Sequence, residues 1–257
     1  MVKLYLMGGF GNLLFQKLFA MELEKHFDLE IDESLISQNC ITKYVLGWKI
    51  HHNYSGILFD KTTNTYDVNI WWAFVDMILL LLSRKSGRML LGRLWVTNKV
   101  PIGPGCKVMA GYCQDKSLFE NCRENLPDLS ILIRGKFPHK KHGPVIHYRG
   151  TDSVWAKDND GFYDIAMSQQ NSNEKITVVT DDIERARQTF GEEAYLVSGT
   201  LLSDFSLMIN SHYLVVAPST LSWWAGLLSF HAEVIIMPSI LRDKLPNLSY
   251  DIRVRYV

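Results

Sequence analysis

The chain has 257 residues, 47% of them hydrophobic, which is enough apolar material for two compact α/β halves of about 120 to 140 residues or one large domain. Its 27 basic and 27 acidic residues balance, so no global field recruits nucleic acid or an anionic membrane, and any binding site is local. Cys40, Cys106, Cys113 and Cys122 show neither CxxC pairing nor histidines at zinc-ligand spacing, and read as free thiols of a reducing cytosol.

Met1 to Gly8 meets Gly8-Gly9 before a long apolar region develops, so it reads as a strand rather than a signal peptide. The turn Gly8-Gly9-Phe10-Gly11-Asn12 follows, and Leu14, Phe15, Leu18, Phe19, Leu23 and Phe27 then recur at helical spacing. Residues 28 to 70 are irregular, with short strand candidates. Trp71 to Leu82 is too short for a membrane span of about 20 residues and contains Asp76. Arg84, Lys85, Arg88 and Arg93 follow it, so 71 to 95 fits a helix lying peripherally on a lipid surface, or equally a buried helix with a solvated basic turn.

Lys107 to Gly111 is a strand candidate, and one helix is expected through Phe119 and Leu126. The basic stretch Gly135 to Pro144 carries proline and glycine without periodicity, which puts the domain boundary there: 1–135 and 136–257. Beyond it strands alternate with helices. Val145 to Tyr148, Ile176 to Val179, Ala194 to Ser198, Tyr213 to Ala217 and Glu233 to Pro238 read as strands, with helices after Tyr163, from Ile183, from Leu201 and from Leu221. This rhythm predicts an α/β fold with a parallel, doubly wound sheet, whose ligands sit at the carboxyl ends of its strands.

Four segments sit where such ligands belong. Gly8 to Asn12 fails as a dinucleotide fingerprint because Leu14 stands where the third glycine is needed, leaving a loop in which backbone amides, Asn12 and Gln16 can hold a ligand. His147 to Asp152 leaves an apolar strand and enters a small-residue loop; the Arg149 fork suits a phosphate, with a local ion pair to Asp152 as the alternative. Thr180-Asp181-Asp182 ends a strand and opens a helix. One aspartate is expected to cap the helix and the other to be free for the N1 and N2 donors of guanine, unless both cap. Ser219, Thr220 and Ser222 stand at a helix amino terminus, which binds phosphate or is simply capped, while Trp223 and Trp224 read as core. Asp158-Asn159-Asp160 has the look of a metal-binding DxD, but its polar setting makes it a loop bordering the pocket.

Gly8 to Gln16, Gly111-Tyr112 with Gln114, His147 to Asp152, Thr180 to Asp182 and Ser219 to Ala225 together resemble, in order, motifs of the bacterial and animal α-1,2-fucosyltransferases. That family's pattern runs GGxGNQxFQ, HxRRxD, S/T-D-D and NSTFSWWAA; this chain departs from it at Leu13, Gly150 and Pro218. The resemblance implies two Rossmann-like domains facing a cleft (GT-B-like), an acceptor side in 1–135 and a GDP-β-L-fucose site in 136–257, with no metal or other cofactor. His147 and Asp181 or Asp182 would face the guanosine, Arg149 the pyrophosphate and fucose, and Ser219, Thr220 and Ser222 the phosphates. Gly9, Gly11, Asn12 and Gln16 would complete the donor site. The expected acceptor is a galactose-terminated, lipid-linked oligosaccharide of O-antigen type at the cytoplasmic membrane face. Asp152 is the first candidate base, with orientation of the loop as its alternative, and Asp158 and Asp160 stand second. Another fucosyl linkage, such as α-1,6, and a non-catalytic nucleotide-sugar or glycan-binding module are the rival readings.

Overall fold

The computed structural model describes residues 2–6, 8–33, 54–59, 108–150, 161–170 and 174–257. The amphipathic candidate 71–95, Asp152, Asp158 to Asp160, Cys40 and Cys106 lie outside the described residues. The chain forms two compact units, Met1–Leu132 and Ile133–Val257.

In the first unit, β1 (Val2–Tyr5), α1 (Phe10–Glu24) and β2 (Leu29–Asp32) come first, followed by the short α2 (Ser55–Leu58) and β3 (Val108–Ala110). The three strands are parallel in the order β2-β1-β3, with Tyr5 paired to both Asp32 and Ala110. Helix α1 is buried along most of its length: Phe10, Leu13, Leu14, Phe15, Leu18, Phe19 and Leu23 are all shielded from solvent, as its apolar spacing requires. Phe27 falls just past its end. The helix expected through Phe119 and Leu126 is two: α3 (Lys116–Cys122) passes through a 3-10 turn, Arg123–Asn125, into α4 (Leu126–Lys136). Pro127 explains the restart, since proline fits the first turn of a helix but not its interior. The change from one unit to the other falls within α4.

The second unit contains β4 (Val145–Tyr148), α5 (Phe162–Ser168), β5 (Thr177–Thr180), α6 (Ile183–Phe190), β6 (Tyr195–Val197) and α7 (Leu201–Ile209). It continues with β7 (Tyr213–Val215), α8 (Thr220–Leu227), β8 (Val234–Met237), α9 (Ser239–Lys244) and β9 (Val254–Tyr256). All six strands are parallel, in the order β6-β5-β4-β7-β8-β9. Counted within the unit this is 3-2-1-4-5-6, the order of dinucleotide-binding sheets. Every residue of β4 is buried, as befits a central strand covered on both faces. Trp223 and Trp224 are fully buried and meet edge to face, 5.1 Å apart, so they are core. Beyond the strand read at Glu233 to Pro238, β9 adds an edge that the sequence reading did not include, with Ile235 paired to Val254.

Candidate donor-binding site

In a sheet of this order, β4 has β5 on one side and β7 on the other, and successive crossovers leave it in opposite directions. The crevice at this reversal, outside the carboxyl ends of β4 and β7, is where such sheets bind ligands. The sequence His147-Tyr148-Arg149-Gly150 leaves β4 here, and Pro218-Ser219-Thr220 follows β7 here.

Register carries the loop after β4 onto the loop after β5. Tyr148 pairs with Thr180, so the next residues of both strands are neighbours. Gly150 donates its amide N–H to Asp181 Oδ1 at 2.9 Å, and Arg149 Nε stands 3.9 Å from Asp181 Oδ2. At the carbonyl end of the same residue, Arg185 Nη1 donates to Gly150 O at 3.1 Å. Asp182 caps α6 by accepting from Arg185 N at 3.0 Å, and its own N–H donates to Thr180 Oγ1 at 3.0 Å. The aspartates therefore divide the work: Asp182 is the cap, and Asp181 ties down the arginine loop.

Gly150, which stands where the fucosyltransferase pattern has a second arginine, sits in a place with no room for a side chain. A Cβ there would lie 2.7 Å from Asp182 Cβ and 3.1 Å from its Oδ2. The departure is thus matched by the packing of Asp182.

His147, in β4, is buried, and its Nδ1 has no hydrogen-bond partner among the described residues. Burial first, and then the Arg149 charge, pull the imidazole down to about 4, against a smaller opposing pull from Asp181. At neutral pH it is therefore an uncharged ring with one unused polar atom, suited to a hydrogen bond with a ligand and poorly suited to being a general base. Its backbone carbonyl accepts from Tyr163 Oη at 3.3 Å, which fixes the strand end against α5.

Ser219 caps α8: its Oγ accepts from Ser222 N at 3.2 Å and lies 2.9 Å from Ser222 Oγ. Ser222 is fully buried, with its hydroxyl donating to Ala217 O at 2.9 Å. Both side chains thus shape the turn at the amino end of α8, where the positive end of the helix dipole suits an anion. No acidic residue stands in that first turn to oppose the helix dipole. Thr220, at the first helical position, is half-buried.

The first unit carries a second polar loop pair built in the same way, where β1 is flanked by β2 and β3. Gly8 has φ +78°, in the region that favours glycine, and a Cβ there would collide with Asn12 Nδ2 and come within 2.9 Å of Tyr112. Gly9 is the N-cap of α1, and its carbonyl accepts from Asn12 N at 2.9 Å. Asn12 Oδ1 accepts from Gln114 Nε2 at 2.6 Å, so the loop after β3 holds this side chain. Gly11 and Gln16 are buried in α1. At the end of β2, the buried Glu33 accepts from Ser55 Oγ at 2.5 Å.

Reading the sequence alone passed over Arg185 and Glu33. The signal for Arg185 was its place three residues after the capping Asp182, on the turn that faces the loop. Among the described residues no cluster of His, Cys, Asp and Glu could hold a metal ion, and no helix is long and apolar enough to cross a membrane. Cys113 and Cys122 are free and buried, and burial pushes both thiols up, Cys122 to about 12.

No family model and no curated protein matches the chain. Among solved structures it is similar to the fucosyltransferase NodZ from Bradyrhizobium, with a TM-score of 0.46 and 11% identity, covering 91% of this chain and 94% of that one. It is also similar to NodZ alpha-1,6-fucosyltransferase soaked with GDP-fucose, with a TM-score of 0.44, 13% identity, and coverage of 91% and 93%. For the same enzyme co-crystallized with GDP the TM-score is 0.41 and the identity 12%, with coverage of 91% and 93%.

Proposed function

We propose that the chain is an inverting, metal-independent glycosyltransferase that moves L-fucose from GDP-β-L-fucose to the 2-hydroxyl of a terminal galactose. The observation that supports this reading best is the meeting of Arg149, Asp181 and the buried His147 at the carboxyl ends of β4 and β5, beside the reversal toward β7. The identity of the sugar rests on the ordered motifs of the sequence.

On this reading the second unit takes the donor and the first serves the acceptor, and Gly9, Gly11, Asn12 and Gln16 of the first unit are further donor-binding candidates. His147 offers its unused Nδ1 to the nucleoside, and one of Asp181 and Asp182 faces the guanine. Arg149 and the amino end of α8, at Ser219, Thr220 and Ser222, receive the diphosphate. Cleavage of the bond from the sugar C1 to GDP leaves negative charge growing on the β-phosphate, and a fixed guanidinium and helix terminus stabilise that charge without reorganising. The acceptor hydroxyl attacks from the opposite face, which converts the β-linked donor to an α-linked product. Asp152 is the proposed base, a role worth roughly 10² to 10⁴ in rate. A lipid-linked acceptor at the cytoplasmic membrane face would be met by the basic region 71–95.

The test is a panel of GDP- and UDP-sugars offered with galactose-terminated oligosaccharides in EDTA, with products read by NMR. Transfer from GDP-fucose alone, α-linked to O2 of galactose, is the expected result. Linkage to another position would replace the α-1,2 assignment, binding without product would favour a nucleotide-sugar-binding module, and no interaction with any GDP-sugar would overturn the reading.

A further inference from the structure

We infer that Arg185 is a second diphosphate-binding residue, reaching the donor site from α6 rather than from the loop that carries Arg149. This rests on the donor-site reading above. Three observations converge on it. The Arg185 guanidinium is anchored at the loop itself, through Nη1 to the Gly150 carbonyl at 3.1 Å, so it is held at the residue that follows Arg149. Among the described residues no carboxylate lies within ion-pair distance of that guanidinium, whereas Arg149 has Asp181 at 3.9 Å. Finally, the space at position 150 is closed by Asp182, so the loop cannot present a second cation of its own at that point.

Charge shows why a second cation matters. Arg149 with Asp181, and Arg185 with Asp182, sum to zero around the loop. Asp182, however, is turned into the α6 cap, where it accepts from a backbone amide. A diphosphate approaching Arg149 alone meets a cation already paired with its neighbour, and Arg185, whose guanidinium no carboxylate among the described residues contacts, supplies a second one. Its planar fork can keep one N–H on the Gly150 carbonyl while others point at phosphate oxygens, a geometry that lysine, as a point charge, does not reproduce.

The experiment compares GDP and guanosine binding, by calorimetry and NMR titration, to the wild-type chain, Arg185→Gln and Arg185→Lys, at low and moderate salt. Arg185→Gln is expected to weaken GDP about tenfold, the effect of one charge-assisted contact, and to leave guanosine within about twofold. Its GDP affinity should also fall less steeply with salt than that of the wild type, and Arg185→Lys should recover part of the loss. Unchanged GDP affinity in Arg185→Gln, or an equal loss for GDP and guanosine, would show that Arg185 only pins the loop and would overturn the inference. Wild-type protein that binds no GDP would instead overturn the donor-site reading, and the role of Arg185 with it.

Discussion

Replacing Gly150 with alanine tests how tightly the loops after β4 and β5 are locked together. The φ of Gly150 lies outside the left-handed region, so alanine meets no backbone penalty there, and its cost is one of space. The new Cβ would lie 2.7 Å from Asp182 Cβ, well inside contact distance, and one of the two loops must move. Moving Asp182 weakens the α6 cap, which is worth about 1 kcal/mol. Moving the loop lengthens the bond from Gly150 to the Asp181 carboxylate, worth about 1.5 kcal/mol or more. Either route, with the residual crowding, costs about 2 kcal/mol. Urea denaturation of Gly150→Ala, Asp182→Gly and the double variant reads this as a cycle, because Asp182→Gly removes the atom in conflict and costs a cap only a few tenths of a kcal/mol. Gly150→Ala should cost about 2 kcal/mol in the native background and under about 0.5 kcal/mol in the Asp182→Gly background. Equal costs in the two backgrounds would refute the steric reasoning.

Two further perturbations follow from the geometry. His147 has its folded value lowered to about 4, below the ordinary value of about 6.5, so the unfolded chain holds more protons between those limits. The stability it confers is complete above about pH 6.5 and drains away as pH falls through about 4. That amounts to about 3 kcal/mol, and urea midpoints for His147→Gln should decline less over this window than those of the wild type, the carboxylates contributing equally to both. Gln114→Leu removes the amide that donates to the partly buried Asn12 Oδ1 at 2.6 Å, and thermal denaturation should show a loss of about 1 to 2 kcal/mol.

The strands of the second unit were readable because each is a short apolar run ending in a polar turn: Val145 to Tyr148 before Arg149, Thr177 to Thr180 before Asp181, and Tyr213 to Val215 before Pro218. Burial on both faces erases alternation and leaves such runs. Strand β9 escaped notice because Arg255 interrupts a three-residue edge strand whose apolar content is too small to stand out. Strand β2, with Glu30 and Asp32 in a run of four, falls among the short strand candidates of 28 to 70 but was not delimited for the same reason. At the site, residue types were visible but their pairings were not. The sequence allowed either aspartate to cap α6, and only the register of β4 against β5 assigns the cap to Asp182 and the loop to Asp181. Likewise, Gly150 reads in sequence as a missing charge. In space it is a close approach between two loops that lie far apart along the chain, which no local pattern encodes.

The central claim, that the loop carrying Arg149 binds the diphosphate of a GDP-sugar, is tested most directly by calorimetric titration of GDP into the wild-type chain and into Arg149→Ala, with folding of both checked by circular dichroism. The wild type should bind, and the variant, folded but lacking a charge-assisted fork, should bind about ten- to a hundredfold more weakly. A folded Arg149→Ala that binds GDP as tightly as the wild type would contradict the account.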